Sequence, residues 1–213
     1  MDRLLFAEHM PKEPRQKLLF AGLHLFTEKG FKETSVLDVV ECAHVSKTTF
    51  YQFFENREDL LAGLFQHLVD EVLAEVEAAV KLEKRMAYKA LAGIQRYLDL
   101  CLQRKSAARL LLVSSVGVSQ KVEEVRQNAH LRFAELIQRT VESELGSVRA
   151  VGSEDIRTLA LAMVGAINEV IIHKIIAPDE ILNTEPLARL LNRIVVGSFN
   201  MLFMEKPSEA GKP

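Results

Sequence analysis

A chain of 213 residues and 24.0 kDa, 48% of it apolar, is long enough for a small module joined to a larger helical body. Its formal charge of −2 and pI of about 6.3 exclude a protein that holds nucleic acid by charge alone. No charged-then-apolar leader opens the chain and no uninterrupted apolar run reaches the roughly 18 residues of a bilayer span, so a cytoplasmic protein without membrane contact is expected.

In chain order, the first strong start signal is Ser35, with Asp38 three residues on to complete a capping box and Val36, Val39, Val40 and Ala43 following at helical spacing. Ser46 starts a second helix about one turn after the first ends, so His44 and Val45 must form a sharp corner. Two short helices meeting at a corner make helix-turn-helix geometry. The second helix, Ser46 to about Phe54, places Thr48, Tyr51 and Gln52 on one face, free to enter a major groove, and turns Phe50 and Phe54 to another. Asn56, with Asp59 three residues on, then starts a long amphipathic helix carrying Leu60, Leu61, Leu64, Leu68 and Val72.

With these residues the segment from about Arg15 to Phe65 resembles the DNA-binding half of the TetR family of transcriptional regulators. The resemblance rests on an apolar first helix (Leu18 to Phe26), the turn Glu28-Lys29-Gly30-Phe31, and Thr34-Ser35 before the second helix. It continues in Val45-Ser46-Lys47 at the corner, Phe50-Tyr51 with Phe54 on the reader, and Asp59-Leu60-Leu61 after it. Two positions depart from the family pattern. The corner glycine of many members is His44, which must then tolerate a positive φ, and the small residue after Val-Ser-Lys is Thr48, whose hydroxyl and methyl can meet base edges.

The resemblance implies an all-α fold with a three-helix DNA-binding domain at residues 1–57 and a helical effector-binding and dimerisation domain at 58–213. It implies DNA contacts at Thr34, Ser35, Lys47, Thr48, Thr49, Tyr51, Gln52 and Arg57. Of these, Thr49, Tyr51 and Arg57 are placed for phosphates, and Lys47, Thr48 and Gln52 for base edges.

From Asn56 the chain reads as successive helices: to about Lys81, Met86 to Gln103, Ser106 to Val116, Ser119 to Glu144, Ser153 to Ala177 and Thr184 to Phe203, with Gly146, Gly152 and Pro178-Asp179 as punctuation. The last two are apolar over more than one stripe, the mark of a helix buried on two sides. In the family such helices pair with their copies, which makes Leu161, Gly165, Ile172, Leu190, Ile194, Gly197 and Met201 the expected homodimer interface; the alternative is that one of them is central to its own core. Polar residues interrupting the apolar helices are the clue to an effector: Tyr97, Arg109, Ser114, His130, Asn168, Glu169 and His173, with Phe133 among the apolar lining. Glu169 and His173 stand four apart, so a mutual pair or a place in the dimer interface competes with a pocket role. A mostly apolar lining suits a hydrophobic or amphipathic effector, with no cofactor.

Cys42 and Cys101 lie far apart and read as buried reduced thiols, and six scattered histidines give no metal-ligand spacing. No Gly-rich phosphate loop, serine elbow or carboxylate cluster points to an enzyme. The expected function is therefore a ligand-responsive regulator, a repressor by resemblance, that binds a palindromic operator on double-stranded DNA as a homodimer. The alternative is a constitutive architectural or nucleoid-associated DNA binder.

Overall fold

The computed structural model describes residues 4–7, 9–145, 152–177 and 183–204. The expected breaks at Gly146 and at Pro178-Asp179 lie outside these residues. Among the described residues every regular element is helical, in agreement with the all-α reading. A short 3₁₀ turn at Leu4–Phe6 precedes α1 (Pro14–Glu28), α2 (Val36–Cys42) and α3 (Lys47–Phe53). The body comprises α4 (Arg57–Leu82), α5 (Met86–Gln103), α6 (Lys105–Arg109), α7 (Gln120–Leu145), α8 (Ser153–Ile171) and α9 (Thr184–Met204).

Local chemistry sets the amino-terminal boundaries. Ser35 and Asp38 form the capping box: the serine Oγ accepts the Asp38 N–H, and the Asp38 carboxylate accepts the Ser35 N–H at 2.7 Å. That carboxylate, held first by the Ser35 hydroxyl and then by its backbone N–H, has its pKa lowered to about 2. Ser46 accepts the Thr49 N–H at 3.0 Å to start α3, and Asn56 accepts the Asp59 N–H at 2.8 Å to start α4. Between α2 and α3 the corner residue His44 has φ 52°, as its place in the pattern demands. Gly30, at φ 89°, turns the chain after α1 so that Phe31 packs at a tilt against Phe26 with ring centroids 5.3 Å apart.

A core of Leu18, Leu25, Val39, Phe50 and Phe54 closes the three short helices, and Leu60, Leu61 and Leu64 of α4 belong to the same core. A boundary at residue 57 therefore falls at the start of a helix that both halves share. The α4 ladder continues through Leu68, Val72 and Val76 against α5 and α7. A second core joins Ile94 and Leu98 of α5 to Val164, Ile167 and Ile171 of α8 and to Leu191, Val195 and Phe199 of α9.

Ion pairs tie the long helices together on their wetter edges. Asp70 meets Arg132 of α7 at 2.6 Å, Glu75 of α4 accepts from Arg96 of α5, and Asp59 meets Lys121 at 2.7 Å where α7 begins.

Two details depart from the sequence reading. The helix expected over 106–116 stops being α-helical at Arg109 and continues as one wide π-type turn over Leu110–Ser114, and α8 ends likewise in a wide turn over Ile172–Ile176. The second departure concerns length. The helical stretches Ser153–Ile176 and Thr184–Met204 are long and apolar enough to cross a bilayer, because an average over a helix tolerates isolated polar residues such as Asn168 that break an uninterrupted run. Both stretches spend one stripe on the protein's own core, including Val164 and Ile171 of the first and Leu191 and Val195 of the second.

Candidate DNA reader and ligand cavity

The reader surface follows from the way α3 is anchored. Phe50, fully buried, packs on Phe54, and Tyr51 meets the Phe50 ring edge-on at 5.3 Å. With that side committed, Lys47, Thr48, Tyr51 and Gln52 all stand exposed on the other. Tyr51 has 58% of its surface free, a large value for an aromatic ring in a packed domain. Thr49 is half-buried and its hydroxyl already shares a 2.9 Å hydrogen bond with that of Ser46. Ser35 is exposed at the start of α2, but its hydroxyl serves the capping box. Two apolar side chains that no sequence signal singled out, Leu37 and Phe53, are also exposed in this region.

Two of the expected DNA contacts have structural tasks. Thr34 is fully buried, its hydroxyl donating to the Gly30 carbonyl at 2.8 Å, so it fixes the turn before α2. Arg57 reaches back across the same turn: Nη1 donates to the carbonyl of Thr34 and lies 3.3 Å and 3.4 Å from those of Phe31 and Lys32, with the guanidinium over the Phe31 ring. All three carbonyls are met by Nη1, so this one nitrogen ties the start of α4 to the turn before α2.

The body carries two half-open chambers that share Tyr97, Phe133 and Asn168 in their walls. The larger, about 520 Å³, runs between α4, α5, α7, α8 and α9; Ile94, Leu136, Ile137, Val164, Val195 and Phe199 are among its apolar walls. The smaller, about 260 Å³, lies nearer the DNA-binding half, against Leu5, Phe65, Val69 and Val72, and carries Arg104, Arg126, His130 and Glu169. The rings of Tyr97 and Phe133 stand 5.3 Å apart at the junction.

A polar relay crosses this junction. The Tyr97 hydroxyl donates to Asn168 Oδ1 at 2.9 Å, and Asn168 Nδ2 lies 3.3 Å from His130 Nε2. With the amide so oriented, Nδ2 donates and His130 is a neutral imidazole accepting at Nε2. Burial, and then the positive charge of Arg126, lower the His130 pKa, which agrees with that neutral state. Burial raises the Tyr97 hydroxyl well above its ordinary value and pushes the Cys101 thiol up to about 12. Cys101 is free, buried and protonated, and half-buried Cys42 is also free.

The structure sorts the expected effector residues. Tyr97, His130, Phe133 and Glu169 line the cavity, whereas Arg109, Ser114 and His173 do not. Arg109 donates to the Ile176 carbonyl at 2.6 Å and so links the two wide turns. Ser114 is exposed, and His173 meets Glu169 at 2.9 Å on the surface, with each side chain about two-thirds exposed at 68% and 67%. Asn168, a polar break in the apolar run, lines both chambers, and Arg104 and Arg126 are what the effector assignment missed. Of the expected interface residues, Leu161, Leu190, Ile194 and Met201 are exposed apolar side chains on α8 and α9, and a Cβ placed on Gly165 or Gly197 meets nothing within 4 Å. Gly165 and Ile172 additionally border the smaller chamber.

Residues 18–64 match the family model described as bacterial regulatory proteins, tetR family. Those residues contain the whole reader. The DNA-binding segment belongs to the TetR family. The chain is 27% identical over 118 residues to the fatty acid metabolism regulator protein of Bacillus subtilis, covering 54% of this chain and 59% of that one. Against the HTH-type transcriptional activator FasR of Mycolicibacterium smegmatis it is 23% identical over 103 residues, covering 48% and 47%. The chain thus spans about half the length of the curated relatives it matches. The solved structure of the regulator FadR from Bacillus subtilis in complex with stearoyl-CoA shares the TetR-like fold, with TM-score 0.68 at 14% identity over 84% of this chain and 96% of that one.

Proposed function

We propose that the chain is a dimeric transcriptional regulator that reads an inverted-repeat site in double-stranded DNA through α3 and responds to a hydrophobic or amphipathic small molecule held in its body. The carrying observation is the position of α4. Its first turns, with Leu60, Leu61 and Leu64, are part of the reader's core, and its next turns present Phe65, Val69 and Val72 to the smaller chamber. A ligand that displaces those side chains acts on the rod that carries the reader, and two readers on a shared dimer move apart or together with it.

Dimerisation is favoured by the exposed apolar stripe on α8 and α9, which a second copy would cover, and by what one short reader helix cannot supply alone: enough contacts for a specific site. The fatty acid-related names of relatives and the stearoyl-CoA bound by a structural neighbour favour an acyl-bearing effector. Repression is the reading of the family resemblance, although a named activator stands among the relatives. Such a protein works in the cytoplasm, where the DNA is. A constitutive architectural binder is disfavoured by a net charge of only −2, which gives little unspecific hold on phosphate.

Selection of bound duplexes from a random pool tests this reading. The expected product is an inverted repeat whose half-site centres lie about 10–10.5 base pairs apart or a multiple of that. Recovery of unselected sequence would contradict it.

A further inference from the structure

We propose that the Leu4–Phe6 turn is a displaceable wall of the smaller chamber: Glu71 clasps it in place, and a molecule too large for the chamber is admitted by pushing Leu5 and its turn away from α4. This rests on the reading of the cavity as the effector site and adds the element that yields when the site fills.

One carboxylate grips the turn. The first N–H groups of a helical turn have no partner within it, and here those of Leu4 and Leu5 donate to the two oxygens of Glu71, the second at 2.8 Å. His67, one helical turn earlier on α4, has Nε2 2.9 Å from Glu71 Oε1. The two side chains are only 4% and 11% exposed for His67 and Glu71, and an acceptor this deep holds its donors with little competition from water. Apolar contact completes the seat, with Leu4 and Leu5 buried in the core shared by α1 and α4. Because the turn packs on both helices, its displacement reaches the DNA-binding half as well as the body.

Leu5 is also part of the chamber wall, and the ring of Phe6 lies under the guanidinium of another wall residue, Arg104, 5.6 Å from the centroid. Size makes a yielding wall necessary. The chamber holds about 260 Å³, below the roughly 300–1,000 Å³ of pockets that take a drug-sized molecule. Most of the other walls stand on long helices, such as Val69 and Val72 of α4 and Ala129 and Phe133 of α7, which retreat only by unwinding or shifting a whole rod. The Leu4–Phe6 turn is three residues long, and residues 9–13, between it and α1, form no regular element. Its retreat breaks the bonds to Glu71 and uncovers two leucines, but unwinds no long helix.

Cys101, a buried free thiol in the wall of the same chamber, reports the opening. The full chain is treated with methyl methanethiosulfonate, a small reagent, and with N-(1-pyrenyl)maleimide, a bulky one, and the rate at Cys101 is read by peptide mass so that Cys42 is counted apart. Glu71→Gln and Leu5→Ser are each expected to speed the bulky reagent at least tenfold and the small one less than threefold. Ile156→Ala, which weakens the second core and not the one that seats the turn, should leave the ratio of the two rates within twofold. In the unmodified chain, pyrene attached to Cys101 should lower the hydrogen-exchange protection of the Leu4 and Leu5 amides at least tenfold while the amides of α9 stay within twofold. An unchanged ratio in either turn variant, or a ratio raised as much by Ile156→Ala, overturns the displaceable wall. So do Leu4 and Leu5 amides that stay protected in the pyrene adduct, and so does an unmodified chain whose Cys101 the small reagent reaches and the bulky one never does. A Cys101 that neither reagent reaches in any of the four proteins overturns the cavity reading itself.

Discussion

Replacing Arg57 separates a structural clamp from a phosphate contact, and the two give opposite results. The charge-assisted bond to the Thr34 carbonyl contributes about 1.5–3 kcal/mol, and the bonds to Phe31 and Lys32, at 3.3 and 3.4 Å, are long enough to add little. Stacking on Phe31 adds about 0.5–1 kcal/mol, so Arg57→Ala should cost about 2–4 kcal/mol in all. For a chain of this size each kcal/mol lowers Tm by about 2–4 °C, which places the loss well within reach of a thermal melt. Arg57→Lys is the sharper variant, because it keeps the charge and loses the planar fork. It should be destabilised by more than half as much as the alanine variant while its DNA affinity keeps the same dependence on salt. The reasoning is refuted if Arg57→Lys melts with the unmodified chain and if Arg57→Ala lowers the salt slope by about 0.9, the share of one neutralised phosphate.

The remaining predictions concern other joints of the fold. His44→Gly should raise stability by about 0.5–1 kcal/mol in denaturant unfolding, because glycine relieves the φ of 52°, and a loss of stability would show that the His44 side chain has an unseen role. For Asp59, burial raises the carboxyl, and the Lys121 ammonium with the Glu55 N–H outweighs it, leaving the pKa below 3.8. Its contribution to stability is then present above the ordinary carboxylate range and is lost as pH falls through the lowered value; that of Lys121, raised above 10.5, is present below that value and lost above it. Lys121→Met should therefore raise the Asp59 pKa in an NMR titration, and an unmoved Asp59 would rule out the pair as a link between the reader and α7. Ile194→Glu and Gly197→Glu, on the open face of α9, should reduce the sedimenting mass to that of one chain without loss of helicity; unchanged dimer mass in both would refute the interface.

The reader is legible in the sequence because its determinants are local. Capping at Ser35, Ser46 and Asn56 and the aromatic spacing Phe50 to Phe54 each operate within one turn of helix, and all appear at those residues in the fold. Thr34 and Arg57 suit DNA contacts by residue type and position. What engages them in the fold is the Gly30–Phe31 turn, 26 residues before Arg57, whose carbonyls no local pattern exposes. The cavity is half legible. Polar residues within apolar helices mark Tyr97, His130, Asn168 and Glu169, but that Tyr97, Asn168 and His130 bond to one another depends on three helices packing, and Arg104 and Arg126 read as ordinary surface cations. Glu169 and His173 illustrate the converse: their four-residue spacing predicts the exposed pair that forms, with Glu169 also at the cavity's edge.

The central claim is that the exposed face of α3 reads bases. It is tested most directly by anisotropy titration of a selected duplex and a scrambled duplex with the unmodified chain and with Gln52→Ala. The account predicts that the variant loses about 1–3 kcal/mol on the selected duplex, retains its affinity for the scrambled one, and keeps the same dependence on salt. Equal discrimination between the two duplexes by both proteins would contradict it.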